Sequence, residues 1–418
     1  MRTSAAAAMV ATTALIATGM LTGTASAAPR PAAAGGGPLT AQPLPDVNGR
    51  LYDVTQVGAH VTLAGGIAQG VEADGDLAGT PLLLRKDDRD GKGWQTVQLP
   101  QQDLGDSFTE INSVAAVPGT AGQAWAVGLE PHTPDCAMPG HEACPPILAY
   151  RFDGTSWTAA PVPVPENTAG AGLSQVVANG PSDVWAVGWA YILDHAEPNP
   201  PPKPGGWHTV EHLEALLVHW DGHAWTRVAV PDELTLTPTS VAVSGRDVYV
   251  AGISDGPAPE VQHWNGRTWT TEKLPAFADG AELYKVGVDA AGSPWAVGRT
   301  WLGEDDVQGH GLLLHKTGGV WRKVAVPADA GLLTKLAFTP SGVAVAGSDA
   351  SDGRSGYVAQ SDATGWHQIA LPAAPEGGLL ATEGMTYSPQ HGLTVVGHQE
   401  GADGPLGADV LPVVLDQR

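Results

Sequence analysis

Seven times along the chain a short apolar run closes on glycine: HVTLAG (60–65), QAWAVG (123–128), DVWAVG (183–188), DVYVAG (247–252), SPWAVG (293–298), GVAVAG (342–347) and GLTVVG (392–397). These glycines stand 63, 60, 64, 46, 49 and 50 residues apart, a period typical of arrays that stack one supersecondary unit many times. Before each run comes a strand-like segment such as INSVAAV (111–117), LSQVVAN (173–179), PTSVAVS (238–244), LYKVGVD (283–289) or LTKLAFT (333–339). After it comes a third, such as ILAYRFDG (147–154), ALLVHWDG (215–222), EVQHWNG (260–266) or GLLLHKTG (311–318). A tight turn then leads to a fourth: GWQTVQLP (93–100), SWTAAPVP (156–163), AWTRVAVP (224–231), TWTTEKLP (268–275), VWRKVAVP (320–327) and GWHQIALP (365–372). Valine-rich segments bounded by Gly, Pro, Asn and Asp predict β-strands, and no window carries a long helical period.

The second segment is the most continuously apolar, as suits a strand covered on both faces, and its glycine allows close backbone approach. The fourth alternates and ends in proline, which suits an outer edge. Four antiparallel strands per unit predict an all-β chain folded as a β-propeller of four-stranded antiparallel blades. First, second and third segments number seven, but only six fourth segments carry the tryptophan. PLTAQPLP (38–45) looks like a fourth strand without it, so the N-terminal strand is expected to complete the last blade. Seven blades are expected, with six or eight as the alternatives.

The turns FDGTSW (152–157), WDGHAW (220–225) and WNGRTW (264–269) resemble the Asp-box turn of sialidase-like propellers, with Trp four residues after Asp or Asn rather than five. The WAVG strands are similar to those of bacterial Kelch, WD-repeat and YVTN propellers. The resemblance spans nearly the whole chain and implies the fold alone. Asp153, Asp221 and Asn265 read as turn formers that hydrogen-bond their own backbone. A sialidase would need three central arginines, and the loops offer only Arg299 and Arg354.

Residues 1–27 carry Arg2, an Ala/Leu/Ile/Val core and the small-residue site Ala25-Ser26-Ala27, which predicts a secretory signal peptide. Residues 28–37 are expected to be a flexible mature N-terminus and 38–418 the propeller domain. The expected protein is secreted, extracellular, monomeric and free of the membrane, with a composition like that of bacterial secreted proteins. Cys136 and Cys144 then form a local disulfide, contributing roughly 2 to 3 kcal/mol for so short a loop.

Insertions into the repeat are where function is sought. The second-to-third connections (67–80, 129–146, 189–214, 254–259, 299–310, 348–355 and 398–408) share a face with the fourth-to-first connections (46–49, 101–110, 163–172, 232–237, 276–282, 328–332 and 373–379). Together they hold 29 of the 44 Asp and Glu but only three basic residues, Lys203, Arg299 and Arg354. So acidic a face provides solubility, attracts a cationic partner, or offers oxygen ligands to calcium at Asp74, Asp76, Asp305 and Asp306. It argues against nucleic acid and anionic lipid.

Eleven of the 14 tryptophans occupy repeat positions; Trp189, Trp207 and Trp301 lie in second-to-third connections. With Tyr191 they could stack on a sugar, anchor a protein side chain, or pack the loops on themselves. The longest insertion, 189–214, concentrates Asp194, His195, His208, Glu211 and His212, and its proline run 198–204 reads as a stiff arm. His208 and His212 could share a helical face, but HTVEH lacks the glutamate directly after its first histidine that a zincin helix needs. No cofactor is implied, and metal use stays open.

The expected function is a secreted, non-enzymatic protein that binds a glycan, cell-surface polymer or protein. Trp189, Tyr191, Asp194, His195, Trp207, His208, Trp301, Asp305 and Asp306 are the binding candidates. Two alternatives stand beside it: an extracellular polysaccharide hydrolase or lyase using carboxylates on the same face, and an assembly subunit of a secreted complex. Two carboxylates converging near the central channel would favour the enzyme.

Overall fold

The computed structural model describes residues 37–417 apart from 72–76, 101–108, 130–145, 199–206, 231–235, 255–257, 302, 304, 305, 307, 308 and 402–409. The signal segment, Cys136, Cys144, Asp74, Asp76 and Asp305 lie outside the described residues. Every regular element among the described residues is a β-strand.

The strands fall into antiparallel quartets. First strands are Gly49–Val57, Glu110–Ala116, Thr168–Gly180, Leu236–Ser244, Ala281–Val288, Ala330–Thr339 and Leu379–Ser388. Second strands are Val61–Val71, Ala124–Leu129, Asp183–Pro198, Asp247–Ser254, Pro294–Thr300, Gly342–Asp349 and Gly392–Glu400. Third strands are Leu77–Asp87, Ala149–Phe152, Trp207–Trp220, Glu260–Trp264, His310–Thr317, Gly356–Asp362 and Val410–Gln417. Fourth strands are Trp94–Thr96, Trp157–Ala159, Trp225–Arg227, Trp269–Thr271, Val320–Val324 and Gly365–Gln368, and in the last quartet that place is taken by Leu39–Ala41, paired Leu39 to Gln417 and Ala41 to Leu415. Five quartets are separate sheets; the second and third join into one eight-stranded sheet through the single pair Gly172 to Leu129.

The fourth strands are shorter than their sequence predicts. In the first quartet the ladder stops at Thr96, with one further bond from the Val97 amide to the Leu83 carbonyl, before the chain reaches Pro100. The Asp-Gly turns behave as expected: Asp153 Oδ1 accepts from the amides of Thr155 and Ser156 at 2.7 and 2.9 Å, and Asp221 and Asn265 do the same.

The repeated glycine has one structural reason in every quartet. A Cβ on Gly66, Gly128, Gly188, Gly252, Gly298, Gly347 or Gly397 would lie 1.7 to 2.0 Å from a carbonyl oxygen of the adjacent first strand. The first repeat corrects the sequence alignment: its equivalent glycine is Gly66, whereas Gly65 sits against the Ile111 side chain.

Each first strand lies against the next, and Leu379–Ser388 also lies against Gly49–Val57. Seven apolar cores fill the spaces between quartets, the first to second, second to third and so on, with Leu51, Val54, Leu82 and Trp94 packed on Val396 and Val414 between the first and the last. Between the second and third quartets, Trp125 makes edge contacts with Trp220 and Trp225, centroids 5.0 and 4.9 Å apart. Such pairs are worth about 0.5 to 1.5 kcal/mol beyond the area they bury.

Candidate functional site

Two residues after the carbonyl that meets the glycine, each first strand carries a β-bulge. The register against the second strand slips at Tyr52, Asn112, Ser174, Thr239, Tyr284, Thr334 and Glu383. Every one of these extra residues is polar. An inserted residue breaks the two-residue alternation, so two consecutive side chains leave the apolar core. The second members of these doublets are Asp53, Ser113, Gln175, Ser240, Lys285, Lys335 and Gly384.

The second members stitch quartets together. Asp53 Oδ2 accepts from Ser113 Oγ (2.7 Å) and the Val114 amide (3.1 Å). Ser113 Oγ accepts from the Val176 amide (3.3 Å), Gln175 Oε1 from the Val241 amide (2.9 Å) and Ser240 Oγ from the Val286 amide (2.9 Å). The series stops there. An ammonium has no lone pair, so Lys285 and Lys335 cannot take the next amides.

Lys285 is half-buried by area yet ringed by protein, and this enclosure draws its ammonium down to about 8 against the pull of Asp53, with Lys335 adding to the fall. Asp53 belongs to the first quartet and Lys285 to the fifth. Charges from quartets far apart in sequence therefore act on one another across the first strands.

A second group gathers at the start of the first and second quartets, on the side where second strands end. Tyr52 is hydrogen-bonded to Glu110, and burial, then the Glu110 charge, push its phenol well above the ordinary range. Burial also raises the Glu110 carboxyl, against its hydrogen bond with Tyr52 and the charge of Arg50. Glu383 is raised by burial against Lys335 and Arg50. Arg50 bonds the buried Glu400 at 2.9 Å; Arg354 approaches the other oxygen at 3.6 Å, and His398 Nε2 lies 3.1 Å away. Burial and then Arg50 lower the His398 pKa. Desolvated carboxyls with specific charged neighbours are characteristic of functional sites.

In the fifth quartet Glu282 accepts from Tyr284 Oη at 2.7 Å and from Arg299 at 2.9 Å, and the Arg299 guanidinium lies 4.9 Å from the Trp301 ring centre. Trp301 and Asp306 line a cleft of about 910 Å³ with Leu274, Phe277, Asp279 and Glu272.

The 189–214 insertion is not a loop but an extension of the third quartet's second and third strands, which stay paired from Trp189 opposite Ala215 out to Pro198 opposite Trp207. Trp189 and Tyr191 lie on one strand face with rings 5.1 Å apart, and Trp189 covers Gly172. Asp194 sits at a bulge between Leu193 and His195 and accepts from His212 Nδ1 at 2.8 Å. Trp207, His208 and His212 are on the third strand. Four residues along a strand span about 13 Å, so His208 and His212 do not share the helical face expected of them. Among the described residues no group of three or more His, Cys, Asp or Glu is placed to hold a metal ion. No helix among them is long and apolar enough to cross a membrane.

The structure thus brings Trp189 to Tyr191, and Trp301 to Arg299, two quartets apart. The doublets were missed by sequence reasoning, although their signal is visible: LYDV, INSV, LSQV, PTSV, LYKV and LTKL each place two polar residues between apolar ones. Arg50 lies one residue beyond the connection ending at 49, so the arginine count of the face omitted it.

No protein-family model matches the chain, and no curated protein does. Among solved structures it is similar to YCF48 from Cyanidioschyzon merolae, at 15% identity and a TM-score of 0.50 over 91% of this chain and 99% of that one. A puromycin hydrolase aligns at 14% identity and a TM-score of 0.50, over 84% of this chain and 50% of its own. An ulvan lyase, a polysaccharide lyase, aligns at 11% identity and a TM-score of 0.46, over 88% of this chain and 93% of its own. At such identities the likeness concerns the fold alone: all-β, of four-stranded antiparallel sheets, with propellers as its neighbours.

Proposed function

We propose that the chain is a secreted seven-bladed β-propeller, its last blade closed by the N-terminal strand, that binds an extracellular glycan where the first strands converge. The seven cores between quartets and the pairing of Leu39–Ala41 with Val410–Gln417 support the architecture. The observation that carries the function is the set of polar doublets: at equivalent bulges of the first strands Tyr52, Tyr284, Glu383, Lys285 and Lys335 supply aromatic, carboxyl and ammonium groups, the mixture that recognises a hydroxyl-rich ligand. Trp301 and Arg299 add contact area on the same side as the second-strand ends. A glycan array probed with the wild-type protein and with Tyr52→Phe, Glu383→Gln and Trp207→Ala variants tests this. Loss of signal in the first two alone is expected; an empty array, or loss only with Trp207→Ala, contradicts it.

The enzyme reading gains one specific observation. Burial raises the Glu110 and Glu383 carboxyls beside Tyr52 and Arg50, the direction that suits a group donating a proton to a leaving oxygen. Incubating the protein with a panel of polysaccharides and measuring new chain ends decides it. Cleavage that disappears in Glu110→Gln or Glu383→Gln supports a hydrolase or lyase, and an intact panel removes it.

A further inference from the structure

We propose that Lys285 and Lys335 form an anion-binding site where the first strands converge, one that takes the carboxylate or sulfate group of an acidic glycan. The inference rests on the binding reading above and names the ligand class within it.

Three observations point to an anion as the ligand. The doublet positions of the first four quartets each supply an acceptor to the backbone amide of the next quartet, whereas the fifth and sixth supply ammonium groups. The amides that would complete the series are those of Leu336 and Met385, at the matching register opposite Val345 and Val395, and no side-chain acceptor meets them among the described residues. Two ammonium-bearing residues and two amides thus follow at the positions where the earlier quartets pair an acceptor with an amide.

The lysines are also unpaired. Among the described residues neither has a carboxylate oxygen within 4.0 Å or a side-chain hydrogen bond, while Lys86 and Lys316 elsewhere are ion-paired. Asp53, the carboxylate whose charge reaches Lys285, is already committed: Oδ2 holds Ser113 and Val114, and Oδ1 accepts from the Val54 amide at 2.9 Å. Glu383, whose carboxyl burial raises against the charges of Lys335 and Arg50, makes no ion pair with Lys335 within 4.0 Å among the described residues.

In a chain of net charge −23, two lysines at equivalent places of neighbouring first strands, each acting on the other's charge, are a local exception to the overall field. Enclosure by protein disfavours the Lys285 charge although the residue is only half-buried, and a ligand anion would offset that.

The test is calorimetric titration of the full chain with sodium sulfate, with galacturonate and glucuronate oligosaccharides, and with a neutral cello-oligosaccharide. Saturable binding of an acidic oligosaccharide is expected, weakened about tenfold or more in Lys285→Met and Lys335→Met and unchanged in Lys92→Met, on an exposed turn. Reductively ¹³C-methylated wild-type protein supplies a second readout: the Lys285 and Lys335 signals, assigned by loss in the variants, should shift on titration. Equal binding by wild type and lysine variants overturns the proposal, as does sulfate binding with no oligosaccharide binding, which would leave a free-anion site only. Binding of the neutral sugar alone overturns it while sparing the glycan-binding reading.

Discussion

The carbonyl oxygen of Glu282 occupies the space a Cβ on Gly298 would need, 1.8 Å away. The same collision stands at the equivalent glycine of every quartet, and two residues after each such carbonyl the first strand bulges. The repeat glycine and the polar doublet thus recur together.

Gly298→Ala should therefore destabilise the protein by roughly 3 kcal/mol or more, since backbone must move on both strands. Gly180→Ala, where a Cβ meets nothing within 4 Å, is the matched control and should change little. Urea denaturation followed by tryptophan fluorescence measures both.

The stitches between quartets make a second prediction. Ser240→Ala leaves the Val286 amide without its acceptor in a buried setting, at a cost of about 1 to 3 kcal/mol. Restoration of most of that stability by Ser240→Thr would show that the hydroxyl, not the volume, is responsible.

Lys285 contributes to stability with a sign opposite to that of an ion-paired lysine. Its folded pKa of about 8 lies below the ordinary 10.5, so the unfolded chain binds more protons between these values. Stability must then rise with pH across that window, and below pH 8 the buried ammonium carries its full penalty. Lys285→Met should raise stability at pH 7 by about 2 to 3 kcal/mol and flatten the rise between pH 8 and 10.5 relative to wild type. Anion binding, which needs the charged form, should fade as pH passes above about 8, with Asp53 and Lys335 the charged groups facing Lys285. A variant that gains stability while losing ligand is the mark of a residue retained for function.

Glu400 is the anchor of the second group. Glu400→Gln removes the charge shared by Arg50, Arg354 and His398, and should cost about 3 kcal/mol because Arg50 remains half-buried beside it. Thermal unfolding of the variant and of Glu400→Asp checks this, the latter being milder.

The four-strand repeat was legible because apolar runs, turn residues and a tryptophan recur in a fixed order, and strand pairing follows from that order alone. The doublets were not read because alternation was used to find strands; a bulge interrupts alternation, and LYKV then looks like a weak strand rather than two residues turned out of the core. The 189–214 segment was misread for a different reason. Its second strand was ended at Gly188 by analogy with the other repeats, yet Trp189 to Pro198 and Trp207 to Glu214 find pairing partners in each other. Charge counting took in Glu110, Glu282 and Glu400 but passed over Arg50, Lys285 and Lys335, which lie on strands, since the count was made over loops.

The most direct test of the account is the crystal structure of the protein bound to its best acidic oligosaccharide. The account predicts an anionic group within hydrogen-bond reach of Lys285 and Lys335, with sugar against Tyr52. A ligand seated on the Trp189–Tyr191 face or in the Trp301 cleft, with the two lysines untouched, would contradict it.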